Sequence, residues 1–368
     1  MMFDRRLIQN FDWGLMAAVT LLALVGVLTL YSAVNADPAA HQRSLHTKQM
    51  IWFAMGLGAM AMSLTISYKT LGRWAPILYG LVVAMLVAVL VVGKFAGGSQ
   101  RWLLIGPISV QPSEPIKICV VIMLARHYAK EVTTRGFRLR ELAWPMAITG
   151  LPFVLIVRQP DLGTAMLLLL IAVSMTVFVK IERRTALKII AFGTVMAPLV
   201  WFFLKGYQKQ RILTFLDPGR DPLGAGYHII QSKIAIGSGM LTGKGYLKGT
   251  QNALSFLPEQ HTDFIFSVLA EEWGFAGSAL LLMLFLLLIL WGLKVAADSR
   301  DPFGIILAVG VTAMIFWQVV INIGMVMGLM PVVGVPLPFV SYGGSSVMSM
   351  MVCAGLLINV RMRRFLVE

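Results

Sequence analysis

Long apolar runs recur along the whole chain, broken by short stretches that collect charge, Gly and Pro. A bilayer core of about 30 Å takes about 20 helical residues to cross. On that measure the pattern predicts about ten transmembrane helices, near 13–33, 50–67, 74–93, 113–126, 142–158, 162–180, 186–204, 264–293, 303–328 and 345–360. The fourth and fifth are short and carry Pro115, Pro145 and Pro152, so kinked or partly re-entrant helices are expected there. The stretch 264–293 is too long for one crossing and is interrupted by Glu271, Glu272 and Gly274. Residues 264–272 therefore read as an amphipathic entry, with the crossing proper starting near Trp273. A long loop, 205–262, separates the seventh and eighth runs, and periodic apolar positions in 226–236 predict a short helix lying on the membrane. No repeat of fixed period and no low-complexity segment interrupts this order. The expectation is an all-α polytopic membrane protein, residues 1–368 forming one transmembrane domain.

Composition sharpens the membrane reading. The chain is 58% hydrophobic and only 13% charged, with a mean hydropathy of +0.80; a soluble protein carries about twice that charge. The first apolar run, from Trp13, is long enough to span and lacks the pattern of a cleavable signal peptide. A net charge of +14 raises the question of a nucleic-acid partner, but the basic residues sit in short segments beside the spans, as the positive-inside rule describes. No nucleic acid is expected. An even number of spans puts both termini on one side, and 18 of the 31 Lys and Arg fall there, from Arg5 and Arg6 to Arg361, Arg363 and Arg364. Both termini are thus expected in the cytoplasm and the 205–262 loop outside. Cys119 and Cys353 each lie inside an apolar run and read as buried filler.

Charges placed against lipid are costly, which makes them functional candidates, and four constellations qualify, all at the outer ends of spans. In Gln111-Pro-Ser-Glu114-Pro-Ile-Lys117, Glu114 and Lys117 share one helical face. The Lys could bind phosphate, or the two could form a self-neutralised pair that pins a helix. In Arg158-Gln-Pro-Asp161, the two charges could pair with each other or with Lys117. Asp263, Ser267 and Glu271 recur every four residues, which on a helix makes a polar stripe. Asp263 stands at the water–lipid boundary, where desolvation favours a proton-accepting carboxylate; capping a helix N-terminus is an equally good use of it. The loop Pro331 to Ser346 ends in Ser341-Tyr-Gly343-Gly344-Ser345-Ser346, and consecutive Gly and Ser before a helix offer N–H groups that suit a phosphate or a tight capped turn. Gln318 and Asn322, four apart, read as glue between helices. Gly239-Met-Leu-Thr-Gly243-Lys244-Gly245 is not a phosphate loop, since three residues separate the first two glycines and no Ser or Thr follows the Lys. What emerges is a polar cavity opening outward, lined by Lys117, Arg158, Glu114, Asp161 and Asp263. A basic cavity at membrane depth suits an anionic lipid headgroup, and an enzyme and a transporter both fit it.

These segments resemble the SEDS family (shape, elongation, division and sporulation) of bacterial envelope proteins over nearly the whole chain. The resemblance rests on Lys48-Gln49, Arg101-Trp102, Gln111-Pro-Ser-Glu114 with Lys117, Gln159-Pro-Asp161-Leu-Gly-Thr, Arg211-Ile-Leu, Phe215-Leu-Asp217-Pro and Pro336-Leu-Pro-Phe-Val-Ser-Tyr-Gly-Gly-Ser. Gly243-Lys-Gly-Tyr and Phe256-Leu-Pro-Glu-Gln-His-Thr-Asp-Phe-Ile-Phe resemble the branch that serves cell elongation rather than division. The resemblance implies a multi-pass protein of the cytoplasmic membrane that polymerises lipid II. It would work with a class B penicillin-binding protein and the elongation machinery. Asp263 would be the catalytic carboxylate and undecaprenyl pyrophosphate the leaving group. Lys117, Lys48, Arg101 and Arg211 are the expected cations for the pyrophosphate, Glu114 and Asp161 the groups that orient Lys117 and shape the cavity, and Ser341, Gly343 and Gly344 further substrate contacts. Mg2+ or Mn2+ could bridge pyrophosphate and Asp263, although no metal-ligand cluster is visible. The competing function is a lipid II flippase.

Overall fold

The computed structural model describes residues 9–35, 44–96, 99–105, 108–131, 135–221, 224–254, 256 and 259–364; Arg5, Arg6 and Arg43 lie outside them. Each of the ten apolar runs is a helix. These are α1 (Trp13–Asn35), α2 (Leu45–Thr65), α3 (Tyr68–Val92), α4 (Ser113–Lys130), α5 (Ala143–Arg158), α6 (Leu162–Phe178), α7 (Arg183–Phe203), α11 (Ile265–Asp298), α12 (Pro302–Val326) and α13 (Gly344–Met362). Five of them, α1, α3, α11, α12 and α13, are long and apolar enough to cross a membrane unaided, while α5 and α6 are apolar but shorter. The segment between α7 and α11 folds as α8 (Gly206–Leu216), a 3-10 turn at Pro218–Arg220, α9 (Ala225–Ser238) and the single turn α10 (Thr250–Ala253).

Burial sorts the bundle. Helices α4, α12 and α13 are buried over most of their length and form the core, whereas α7 turns Leu187, Phe192, Val195 and Phe203 outward. Small residues set the closest approach: a Cβ at Gly56 would meet Met351 at 2.8 Å, and one at Gly355 would meet Ser63 at 2.0 Å, so α2 and α13 pack almost backbone to backbone. At the end of that pair Asn359 donates to the carbonyls of Ser63 and Ile66, both at 2.6 Å. The predicted helix over 226–236 is α9, and it docks on the protein. It buries Ile229, Ser232 and Ala235 and turns Ile230 and Ile234 outward, and Ser232 Oγ donates to the Val326 carbonyl at 2.6 Å.

Two features differ from the sequence expectation. A three-stranded antiparallel sheet, β1 (Lys94–Ala96), β2 (Ser99–Ile105) and β3 (Ile108–Val110), joins α3 to α4. β1 and β3 are three residues each, too short for an alternating pattern to show, and the seven residues of β2 run from polar to apolar instead of alternating. The stretch 264–272 is not an amphipathic entry: every residue from Ile265 to Glu272 is buried. This is the first half of α11, broken from the second half at Gly274, whose φ of 64° and ψ of −160° no helix tolerates. The Gly239–Gly245 segment fills the break. Phe275 and Ala276 donate their N–H groups to the Met240 and Leu241 carbonyls (2.8 and 3.0 Å), and the Glu271 and Glu272 carbonyls accept from Lys244 and Gly245, both at 3.0 Å. The glycines permit the contact, since a Cβ at Gly243 would lie 2.1 Å from the Glu272 carbonyl oxygen. The motif that fails as a phosphate loop therefore supplies the hydrogen bonds that the interrupted helix cannot make for itself.

Candidate functional site

Asp263 lies in the turn that leads into α11. Helix capping is excluded as its use, because the N-cap is Phe264 and no side chain caps the helix. Among the described residues no donor reaches its carboxylate. Burial, reinforced by the neighbouring Glu259 and by Asp161 against the opposing pull of Arg101 and Arg211, pushes the Asp263 carboxyl up to about 6. A carboxylate in this state holds a proton more tightly than a free one and still surrenders it near neutrality, which is the tuning a general base requires.

The cations coupled to it come from two elements, one in the segment between α3 and α4 and one in the segment between α7 and α11. Strand β2 carries Arg101, which lies 3.8 Å from Asp161 and donates to the Pro160 carbonyl. Asp161 is fixed in turn as the N-cap of α6, accepting from Thr164 N at 3.2 Å and Thr164 Oγ1 at 3.0 Å, with Gln111 Nε2 at 3.4 Å. Helix α8 carries Arg211, whose guanidinium sits over the Tyr207 ring at 5.9 Å. Burial and the like charge of Arg101 lower the proton affinity of Arg211, opposed by Tyr207, Asp161 and Asp263. Arg101 Nε and Arg211 Nη1 are both buried without a hydrogen-bond partner among the described residues. Two guanidiniums that repel each other and hold unused donors make a site for an anion with several oxygens.

Other expected residues lie elsewhere. Arg158 is exposed at the end of α5, and Asp161 pairs with Arg101 instead. Lys48 is also exposed, whereas its neighbour Gln49 is fully buried; adjacent residues on a helix point about 100° apart. Lys117 and Glu114 are almost completely buried and pair at 2.8 Å within α4. They pin the core helix, and Asp161 orients Arg101 rather than Lys117. The loop at Gly343 and Gly344 is no phosphate cradle. Gly343 N is already committed to Gln49 Oε1 at 3.3 Å, and a Cβ at Gly344 would fall 2.3 Å from the Trp52 ring. The stripe Asp263, Ser267, Glu271 divides by role, since Ser267 Oγ bonds Ser232 Oγ at 2.8 Å and Glu271 pairs with Lys244 at 2.6 Å. Asn322 does not glue helices; it donates to the main-chain carbonyls of Asp263 at 3.0 Å and Val335 at 2.8 Å. Glu259 and Tyr207 belong to the site and were not expected there, although Glu259, four residues before Asp263, was visible as a charge close to it. Among the described residues no three His, Cys, Asp or Glu side chains converge as metal ligands.

Comparison with known proteins places this geometry. The chain is 43% identical over 347 residues to the peptidoglycan glycosyltransferase MrdB of Escherichia coli (strain K12), covering 94% of this chain and 93% of that one. It superposes with a TM-score of 0.82 and 32% identity on a chain from a structure titled "Structural coordination of polymerization and crosslinking by a peptidoglycan synthase complex", over 96% of this chain and 98% of that one. On the Thermus thermophilus rod shape determining protein RodA the TM-score is 0.71 at 28% identity, over 97% and 98% of the two chains. The family described as "Cell cycle protein" and labelled FtsW/RodA/SpoVE matches residues 12–365, and the chain belongs to it.

Proposed function

We propose that this chain is a peptidoglycan glycosyltransferase of the cytoplasmic membrane, polymerising lipid II on the outer face during cell elongation with Asp263 as the general base. The observation that carries the reading is one carboxylate, pushed up to about 6 and free of donors among the described residues, electrostatically coupled to two guanidiniums whose Arg101 Nε and Arg211 Nη1 have no partner among those residues. Asp263 accepts the proton of the GlcNAc 4-hydroxyl of one lipid II. That oxygen bonds to the anomeric carbon of the growing strand's terminal MurNAc as the bond to the pyrophosphate oxygen breaks, with inversion. Arg101 and Arg211 take up the charge that develops on the departing undecaprenyl pyrophosphate. Asp263 then passes its proton to water. Mg2+ or Mn2+ would be held by Asp263 and pyrophosphate oxygens, as ions of this class are commonly held by one or two carboxylates plus phosphates rather than by a protein cage. Its chemistry would be charge neutralisation.

The partner reading is a class B penicillin-binding protein. An apolar hollow of about 260 Å³ between α11 and α12, lined by Leu282, Val319, Ile323, Met327 and Met330, offers such a partner an apolar contact. The assay that tests the function supplies the purified chain with lipid II, with and without the partner and divalent cation. Strands should form, and Asp263→Asn should form none while remaining folded. Movement of labelled lipid II across vesicles without strands would establish the flippase instead.

A further inference from the structure

Asp263 is held by its main chain. The two carbonyls that flank its Cα are both occupied from outside the turn: Ser341 Oγ donates to the Thr262 carbonyl at 2.6 Å and Asn322 Nδ2 donates to the Asp263 carbonyl at 3.0 Å. Neither donor is free to swing. Ser341 Oγ accepts Leu337 N at 2.8 Å, and Asn322 Nδ2 also donates to the Val335 carbonyl at 2.8 Å. Behind Ser341 stands Gln49, whose Nε2 donates to the Ser341 carbonyl at 3.1 Å and whose Oε1 accepts Gly343 N at 3.3 Å. Asn322 and Gln49 are 0% exposed and Ser341 is 2% exposed, so water does not compete for these bonds. On the side-chain face the same loop presents Gly334, at φ +72°, where an added Cβ would stand 3.2 Å from Asp263 Oδ2. That position leaves the carboxylate its room.

We infer that Asn322 and Ser341, backed by Gln49, are positioning residues that fix the Asp263 main chain on both sides of its Cα and leave the carboxylate unbonded to act on substrate. The loop expected to bind phosphate is thus a frame for the base. This is not helix-to-helix glue, because Asn322 bonds two carbonyls of irregular backbone, one of them that of Asp263 itself. The inference rests on the reading of Asp263 as the base. A misplacement of about 1 Å at a reacting group costs about 100-fold in rate.

The test is lipid II polymerisation by the full chain carrying Asn322→Leu, Ser341→Ala or Ser341→Thr, with Asp263→Asn in parallel. Asn322→Leu and Ser341→Ala should lower kcat about 10- to 100-fold with KM unmoved. They should also displace the acid limb of the pH profile, while Ser341→Thr, which keeps the hydroxyl, recovers much of the rate lost in Ser341→Ala. Parental kcat and an unmoved limb in folded Asn322→Leu and Ser341→Ala would overturn the frame. If Asn322→Leu does not fold, the contrast between Ser341→Ala and Ser341→Thr decides, and equal rates overturn it. Full activity in Asp263→Asn would defeat the base reading itself; an inactive Asp263→Asn beside unimpaired frame variants defeats only the frame.

Discussion

Two carboxylates eight residues apart, Asp263 and Glu271, stand at the two ends of the first half of α11 and live in opposite circumstances. Glu271 is fully buried, and its Oε1 accepts Lys244 Nζ at 2.6 Å, Thr250 N at 2.8 Å, and Thr250 Oγ1 and Gln251 N at 3.0 Å. Asp263 accepts from no donor among the described residues and carries a raised pKa. A buried carboxylate whose Oε1 gathers four donors, even with Oε2 left without a partner among the described residues, is a tie between chain segments, here the segment between α7 and α11 and the broken helix. A carboxylate with its main chain braced and its oxygens idle holds proton affinity in reserve. Donors received by the carboxylate, more than burial, separate structure from chemistry here.

The comparison breaks outright if the roles exchange. Asp263→Asn should lower strand formation by at least about 100-fold and leave the fold intact or slightly firmer. A group whose folded pKa is raised contributes stability below its unfolded value and loses it as pH rises through about 6, so at neutral pH the neutral amide removes a cost. Lys244→Met should do the reverse. It strands the Glu271 charge and should cost about 3 kcal/mol of stability, read by thermal or denaturant unfolding in detergent, with kcat at permissive temperature little changed. A Lys244→Met protein that is stable but inactive would sink the distinction. Arg101→Lys removes the forked donor and should raise KM for lipid II about tenfold, equivalent to about 1.4 kcal/mol; an unchanged KM would show that the pyrophosphate sits elsewhere. The smallest effect sharpens the electrostatics. Base catalysis needs the deprotonated carboxylate, so activity should fall as pH drops through about 6. Glu259→Gln removes a neighbouring negative charge, makes the ionised form cheaper, and should move that limb down by about half a pH unit.

Much of the fold and part of the site were legible in the sequence. Ten apolar runs became ten helices because lipid leaves the backbone few alternatives. Asp263 and Asp161 stood out because charge beside apolar runs is expensive and therefore rare, whereas Arg101 and Arg211 entered only through the family resemblance. What stayed hidden depends on facing. Lys48 and Gln49 are neighbours, yet one is exposed and the other carries the frame of the site. The half-helix 265–272 is buried on every side, so its polar residues traced no solvent face and the period that suggested an amphipathic entry was misleading. Glycines announce a close approach without naming what approaches. Those of 239–245 admit a helix break, and Gly344 admits an indole ring.

The break at Gly274 has a mechanical consequence. Beyond it α11 exposes Phe275, Leu280 and Met283, residues free to follow the hydrocarbon as a bilayer thickens or thins. Before it the half-helix is buried in protein and tied to the Gly239–Gly245 segment at one end and to the Asp263 turn at the other. The joint lacks the continuous helical hydrogen bonds that would carry a tilt of the second half directly into the first, so the carboxylate is referenced to the protein core rather than to the far end of its own helix.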